Sequence, residues 1–111
     1  MTASDHLGQQ FTELYHATRA SVLPSIRATG LTAGSYSATN PTVTTDRAEA
    51  EMYARGHMIN RGEQPGIATL RVPSGQEGDY LHADATAHRH SGAYGLRKPL
   101  PASMVHSVDA L

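Results

Sequence analysis

The segment from Ile67 to Val72 (IATLRV) constrains the fold of this chain more than any other feature. Apolar and polar residues alternate along it, and this two-residue period is typical of a β-strand with one buried face. Pro73 follows directly, and a proline cannot donate a hydrogen bond to a neighbouring strand. We therefore predict a half-buried strand that ends at Pro73, in a domain that contains a β-sheet.

A strand and a helix are predicted near the start of the chain. Phe11–Thr18 is rich in aromatic and β-branched residues, which favour strands. The next segment, Ala20–Thr29, has Ser21 as a candidate N-cap and is followed by Gly30, a residue type that commonly ends helices. Three apolar residues share one face of this helix: Val22, Leu23 and Ile26. The segment is therefore predicted to form a helix of about three turns.

A second strand and helix follow. Thr42–Thr45 has strand propensity, and Asp46–Arg55 has the pattern of a helix that continues past Gly56 to about residue 60. Asp46 and Glu49 have the spacing of a capping box. We expect one face of this helix to be apolar, with these members: Ala50, Tyr53, Ala54, His57 and Met58.

Three short strands complete the prediction, over residues 80–82, 94–96 and 104–108. We expect residues 1–10 to form a flexible arm and residues 11–111 to form a single domain. Because the order of strands and helices is not a repeating strand-helix-strand series, the predicted fold class is α+β.

The composition excludes several functions. The 111 residues include no cysteine, which excludes disulfides, thiolate zinc sites and a cysteine nucleophile. Nine Lys+Arg against ten Asp+Glu give a net charge of −1, so neither nucleic acid nor an anionic membrane is an expected partner. Apolar stretches are far too short to span a membrane, and no export signal is visible. We expect a cytoplasmic protein or a delivered, toxin-like effector domain.

Four short motifs occur in this order along the chain, and the order is more informative than any one of them: YHAT at residues 15–18, IRATGL at 26–31, TT at 44–45 and AEMYA at 50–54. Together they resemble the ADP-ribosyltransferase superfamily, and the resemblance covers roughly residues 14–54. The segment PLPASMV, residues 99–105, resembles the closing strand pair of that family. The resemblance implies a split β core of two small sheets with two flanking helices. It also implies NAD as substrate, with ADP-ribosyl transfer or NAD hydrolysis as the activity.

The resemblance implies roles for individual residues. His16 would hydrogen-bond the 2′-hydroxyl of the nicotinamide ribose, and the backbone of Ala17 would hold the nicotinamide amide. The hydroxyl of Thr18 would fix the adjoining loop. The ring of Tyr53 would stack on the nicotinamide.

Further site residues are predicted from chemistry. Arg19 follows the first motif, and its guanidinium suits a diphosphate oxygen. Tyr94 is a further candidate for ligand binding. Many family members carry a glutamate where this chain has Gly92-Ala93-Tyr94-Gly95, so the catalytic acid would come from elsewhere, with Asp79 and Asp84 as candidates.

Other functions remain open. One is a repurposed enzyme that acts on another small molecule through the His16/Tyr53 cleft without consuming NAD. Another is a module that binds NAD without turnover. The RNA 2′-phosphotransferase branch of the superfamily is disfavoured, because it has a His-x-His strand where this chain has Thr42–Thr45. The acceptor of a transfer is open among protein, nucleic acid, antibiotic and water.

A histidine-rich segment is the last candidate. His82, His88 and His90 lie near Asp79 and Asp84, and imidazoles with carboxylates are ligands for divalent metals. Their spacing matches no zinc signature. No metal site is therefore predicted.

Overall fold

The computed structural model describes residues 10–32, 42–82 and 93–111. This part of the chain has an α+β fold, as predicted, with six strands and three helices. The strands are β1 (Phe11–Arg19), β2 (Thr42–Thr44), β3 (Pro65–Pro73), β4 (Leu81–His82), β5 (Ala93–Leu96) and β6 (Val105–Ala110). The helices are α1 (Leu23–Thr29), α2 (Arg47–Asn60) and α3 (Glu77–Tyr80).

All the strands belong to one antiparallel sheet in the order β4-β5-β2-β1-β3-β6. Five of them have at least three residues, and β4 has two. The longest ladder joins β1 to β3 and runs from the pair Phe11 and Pro73 to the pair Arg19 and Pro65. The expected division into two small sheets is wrong for the described residues, although helices flank the sheet on both faces, as expected. The short strand β2 pairs with both β1 and β5, and it therefore keeps the sheet continuous.

The two faces of the sheet carry different helices. Side chains alternate along β1, so Leu14, His16 and Thr18 point to one face and Tyr15 and Ala17 to the other. On the first, the α1 face, Leu14 belongs to the main core together with residues of α1. On the second, the α2 face, Tyr15 and Ala17 pack against alanines of α2. A site residue on β1 therefore faces one helix or the other according to its position.

Strand β3 is buried on both faces, so the prediction of a half-buried strand is wrong. Every residue from Pro65 to Leu70 is buried. The cause is its position: β3 lies between β1 and β6, Leu70 packs in the core of the α1 face, and Ile67 packs under α2. The polar residues of the alternation are Thr69, which is nonetheless buried, and Arg71, which is half-buried.

The first helix is shorter than predicted. Ala20–Val22 forms a 3₁₀ turn, and α1 begins at Leu23 with Pro24 in its first turn. Ser21 is not the N-cap, because it lies inside the 3₁₀ turn and Val22 occupies the cap position without a side-chain hydrogen bond. Gly30 ends α1 as predicted, with a φ of 86° that suits glycine.

Helix α2 extends to Asn60, as expected, and begins with half of the predicted capping box. The Asp46 carboxylate accepts hydrogen bonds from the amides of Ala48 and Glu49 at 3.0 and 3.4 Å. The Glu49 carboxylate instead accepts a hydrogen bond from the Thr44 hydroxyl at 2.9 Å. The Asp46 amide donates to the same Thr44 oxygen at 3.1 Å. Thr44 therefore replaces the second half of the box.

The remaining strands lie close to their predicted positions, as β4, β5 and β6. The predicted arm lies outside the described residues except for Gln10, whose carbonyl accepts a hydrogen bond from the Ser74 amide at 2.8 Å. None of the helices in the described ranges has the length and apolar character needed to cross a membrane.

Candidate functional site

His16 is the most enclosed of the predicted site residues. It lies on β1, points to the α1 face and is 2% exposed. Its Nδ1 atom is 2.8 Å from the carbonyl oxygen of Thr42 on the neighbouring strand. A carbonyl oxygen can only accept, so Nδ1 carries the hydrogen and donates it. In a neutral ring the lone pair is then on Nε2, which is a hydrogen-bond acceptor.

Burial determines the charge of this ring. Desolvation lowers the pKa of His16 to about 4, and the hydrogen bond to the Thr42 carbonyl opposes that shift. His16 is therefore neutral near pH 7. Its chemistry is that of a fixed hydrogen-bonding group rather than of a cation.

Thr18 lies two residues beyond His16 and points to the same face. It is 2% exposed, and its hydroxyl has no hydrogen-bond partner among the described residues. It faces Gly66 on β3, where a Cβ would come within 2.9 Å of Leu23. Thr18 is thus enclosed under the start of α1, and within this part of the chain it does not make the loop-fixing hydrogen bond that we predict.

Ala17 and Tyr53 belong to the other face. Ala17 packs against Ala50 and Ala54 of α2. Tyr53 is 53% exposed and lies against His57, with ring centroids 4.2 Å apart. The prediction of one apolar face with all these residues is wrong, because the small alanines take the positions against the sheet. Tyr53 and His57 lie outside that contact.

The structure therefore separates His16 from Tyr53. The imidazole starts from the α1 face of β1, whereas Tyr53 is on a helix that covers the opposite face. Tyr94 shares the α1 face with His16. It pairs with Val43, a residue of the α1-face core, and is half-buried against that core. A ligand that contacts both His16 and Tyr53 would have to reach around the end of β1.

Arg19 is the last residue of β1 and lines an open depression of about 470 Å³. We call this depression the Arg19 notch; its lining residues are Arg19, Ala20, Ser21, Glu63 and Gln64. Arg19 Nη1 donates to Glu63 Oε2 across 3.4 Å. The Nε atom of Arg19 is enclosed and has no hydrogen-bond partner within the described ranges.

Of the two candidate acids, only Asp79 belongs to the described residues, and it is not beside His16. Asp79 is exposed on α3, where its amide donates to the Gln76 carbonyl at 3.0 Å, and Asp84 lies outside the described residues. The described strand β5 (Ala93–Leu96) carries no carboxylate. Sequence reasoning missed Glu63 as the partner of Arg19, and no local pattern reveals it, because the two residues are 44 positions apart.

The histidine-rich segment gives no metal site in the described part. His82 is on β4, and Asp84, His88 and His90 lie outside the described residues. No group of three or more His, Cys, Asp or Glu residues within residues 10–32, 42–82 and 93–111 has the arrangement of a metal site.

Two of the three buried side-chain polar atoms without a partner in the described chain belong to consecutive residues, Thr18 and Arg19. The third is Thr69 Oγ1. Buried polar groups are nearly always hydrogen-bonded, and exceptions commonly mark places where a ligand or water supplies the partner. The unsatisfied atoms thus concentrate at the end of β1, directly after His16 and Ala17. Neither a protein-family model nor a curated protein sequence matches the chain.

Proposed function

We propose that this domain binds NAD and cleaves the bond between nicotinamide and ribose, with transfer of ADP-ribose to an acceptor or to water. The observation that carries the proposal is the concentration of unsatisfied polar atoms at the end of β1, in the motif that resembles the ADP-ribosyltransferases. The Arg19 guanidinium lines an open depression at the end of β1, where a doubly phosphorylated ligand would supply acceptors for its donors.

His16 would orient the nicotinamide ribose. Its Nδ1–H is held by the Thr42 carbonyl, so the direction of the ring is fixed and the lone pair of the neutral ring is on Nε2. The resemblance implies that a hydroxyl of the nicotinamide ribose hydrogen-bonds this ring. Because the pKa of His16 is lowered to about 4, the ring keeps this neutral form over the whole physiological range. A cationic imidazole could not accept the hydrogen bond.

The reaction needs little proton transfer. The C1′–N1 bond breaks, its electron pair goes to the nicotinamide nitrogen, and neutral nicotinamide leaves. The ribose becomes oxocarbenium-like, and a lone pair of the acceptor oxygen or nitrogen forms the new bond to C1′ while the acceptor loses a proton to solvent. A carboxylate would stabilise the positive ribose. Asp79 is exposed on α3, and the neighbouring Glu77 contacts Thr12 near the start of β1, away from Arg19 at its end. Asp84 is therefore the candidate that we propose for this role.

A second function, ligand binding without cleavage of NAD, is favoured by one observation. The segment Gly92–Gly95 contains no carboxylate, although the ADP-ribosyltransferases that the chain resembles commonly have a glutamate there. A neutral His16 and the Arg19 notch suffice to bind a nucleotide but do not by themselves stabilise an oxocarbenium ion. In this case the domain is a binding module or a repurposed enzyme.

Nicotinamide release from NAD tests the first function. Wild type is compared with His16→Asn, whose amide N–H replaces Nδ1–H toward Thr42 but which has no acceptor at the Nε2 position. The control is His106→Asn, an exposed histidine on β6. Each protein is incubated with NAD, with and without crude cell extract as a source of acceptors, and free nicotinamide is quantified by chromatography.

We expect release by wild type and the control, and a loss of at least about tenfold in His16→Asn. Equal release in all three would contradict the role of His16. A rise in melting temperature with NAD but no release would support the second function. The absence of both nicotinamide release and a melting-temperature shift would overturn NAD cleavage and NAD binding, and would favour the repurposed enzyme that acts on another small molecule.

A further inference from the structure

The Arg19 notch is built around an arginine that is poorly satisfied. The contact between Arg19 Nη1 and Glu63 Oε2 measures 3.4 Å, which is long for a charge-assisted hydrogen bond. Arg47 and Arg71 each approach a carboxylate oxygen within 2.8 Å. Arg19 also keeps its enclosed Nε without an acceptor in the described part of the chain. The Arg19 guanidinium therefore has N–H donors that make no short hydrogen bond to an acceptor among the described residues.

Other residues of the notch supply further hydrogen-bond donors, and a backbone hydrogen bond holds its two walls together. The Ala20 amide donates to the Gln64 carbonyl at 2.8 Å, which joins the two walls of the notch. Ser21 is exposed on one wall, with a hydroxyl that donates. The Gln64 side chain is on the other wall, and its Nε2 makes a long contact of 3.4 Å with the Leu111 carbonyl. A guanidinium, a hydroxyl and an amide around one concave surface suit an oxyanion.

Glu63 is the exception in this donor set. It is a carboxylate in the same notch, and it contacts the same guanidinium that an anion would use. Both side chains are about one-third exposed, so their attraction is weakened by solvent. Glu63 makes one long contact with Arg19, whereas a diphosphate can place two oxygens against the guanidinium. Glu63 is therefore a competitor that a ligand can displace.

We propose that the Arg19 notch binds the diphosphate of a nucleotide ligand, and that Glu63 occupies Arg19 until this diphosphate displaces it. The identity of the nucleotide as NAD rests on the proposed function. Arg19 is three residues beyond His16 on an extended strand, roughly 10 Å along β1, so the two side chains start from opposite faces of the sheet. A nucleotide whose ribose contacts His16 and whose 5′ diphosphate contacts Arg19 would therefore pass around the end of β1, where the Arg19 notch lies.

Calorimetric titration with ADP-ribose tests this site, because ADP-ribose contains the diphosphate but no nicotinamide. Sodium pyrophosphate and adenosine are the two comparison ligands, one with the diphosphate alone and one without it. The variants are Arg19→Gln and Glu63→Gln. The matched control is Arg27→Gln, an exposed arginine on α1 that does not line the notch.

We expect wild type to bind ADP-ribose and pyrophosphate but not adenosine. Arg19→Gln weakens ADP-ribose binding by about tenfold or more, because charge-assisted hydrogen bonds are lost. Glu63→Gln strengthens it by about threefold, because the competing carboxylate is neutralised. Arg27→Gln binds like wild type.

The proposal is overturned if wild type binds neither ADP-ribose nor pyrophosphate, if Arg19→Gln binds as wild type does, or if Glu63→Gln binds more weakly. An equal loss in Arg27→Gln and Arg19→Gln would also overturn it, since that result indicates general charge attraction. Failure of the enzymatic function looks different: nicotinamide is not released, but ADP-ribose binding still depends on Arg19. If nicotinamide is released but ADP-ribose binding does not depend on Arg19, the enzymatic function stands and only the proposal for the Arg19 notch is overturned.

Discussion

The Nδ1 atom of His16 donates a hydrogen bond to the carbonyl oxygen of Thr42 at 2.8 Å, across 26 positions of the chain. The bond connects the side chain of a residue on β1 to the backbone at the first residue of β2. It fixes the imidazole ring and its tautomer together. Stability and ligand binding should therefore respond to changes in this one contact.

The stability of the fold should fall as the pH drops through the window set by His16. In the unfolded chain the ring has its ordinary pKa of about 6.5, whereas burial lowers the pKa to about 4 in the folded state. Between these values only the unfolded state binds the proton. The free energy of unfolding should therefore decrease by roughly 1.4 kcal/mol per pH unit from about pH 6.5 to about pH 4.

Chemical denaturation of wild type and His16→Asn at several pH values measures this effect. The pKa of Glu13 is lowered mainly by its hydrogen bond from Tyr15, and the pKa of Glu77 by its hydrogen bond from Thr12. These carboxylates reduce stability only below their ordinary pKa of about 4.5. The window from about pH 6.5 to about pH 4.5 thus separates His16 from them. An identical slope in His16→Asn would contradict the assignment.

Gly30→Ala should destabilise the fold strongly. Its φ is 86°, and a Cβ there would lie 2.1 Å from the carbonyl oxygen of Leu100. That oxygen accepts a hydrogen bond from the Leu31 amide, so the backbone cannot easily move away. The cost should be roughly 3 kcal/mol or more, from strain and overlap together. Thermal or urea unfolding measures it.

Substitutions of two other glycines separate the effect of backbone strain from the effect of steric overlap. Gly62 also has a positive φ, of 70°, but a Cβ there meets no atom within 4 Å, so Gly62→Ala should cost only about 1 kcal/mol. Gly56 lies inside α2 with open space around it, and Gly56→Ala should stabilise by about 0.5–1 kcal/mol. A cost for Gly30→Ala no larger than that for Gly62→Ala would show that the overlap with Leu100 is unimportant.

Asp46→Ala should destabilise α2 and, with it, the cover over the α2 face. The lost carboxylate accepts from two amides at the helix start, and such caps are worth about 1 kcal/mol. Asp46→Asn should retain most of that stability, because the amide oxygen still accepts. Equal losses in the two variants, measured by urea denaturation, would point to the charge rather than to the cap.

Tyr53→Ala should leave stability within about 0.5 kcal/mol of wild type, since the side chain is half exposed. If Tyr53 stacks on the nicotinamide, the substitution should weaken NAD binding by about tenfold, whereas Tyr53→Phe should keep most of the affinity. Met52→Ala, on the same helix and 70% exposed, is the control. NAD affinity unchanged in Tyr53→Ala would remove Tyr53 from the site.

Local sequence signals predict the ends of helices and strands well where a single residue determines them. Gly30 ends α1, Asp46 caps α2 and Pro73 ends β3, as expected from backbone chemistry alone. The predicted start of α1 is wrong, because Ser21 is a residue type that caps helices well but here lies within a 3₁₀ turn that follows β1 directly. Propensity alone does not distinguish these two neighbouring structures.

The arrangement of the site was less predictable, because it depends on which face of the sheet a residue points to. Position along β1 alternates between faces, but only the packing of α1 and α2 decides which helix each face carries. The separation of His16 from Tyr53 follows from that packing. The Arg19 and Glu63 pair is likewise created by the meeting of two distant chain segments.

The long ladder between β1 and β3 has a consequence for how the chain folds. Each of the nine residues of β1 pairs with a residue of β3, and α1, β2 and α2 all lie between the two strands in the sequence. Such non-local pairing slows folding, because a long loop must close before the contacts form. During synthesis, β1 and His16 therefore emerge well before their main partner strand. The His16 imidazole can therefore become enclosed only after β3 has been synthesised.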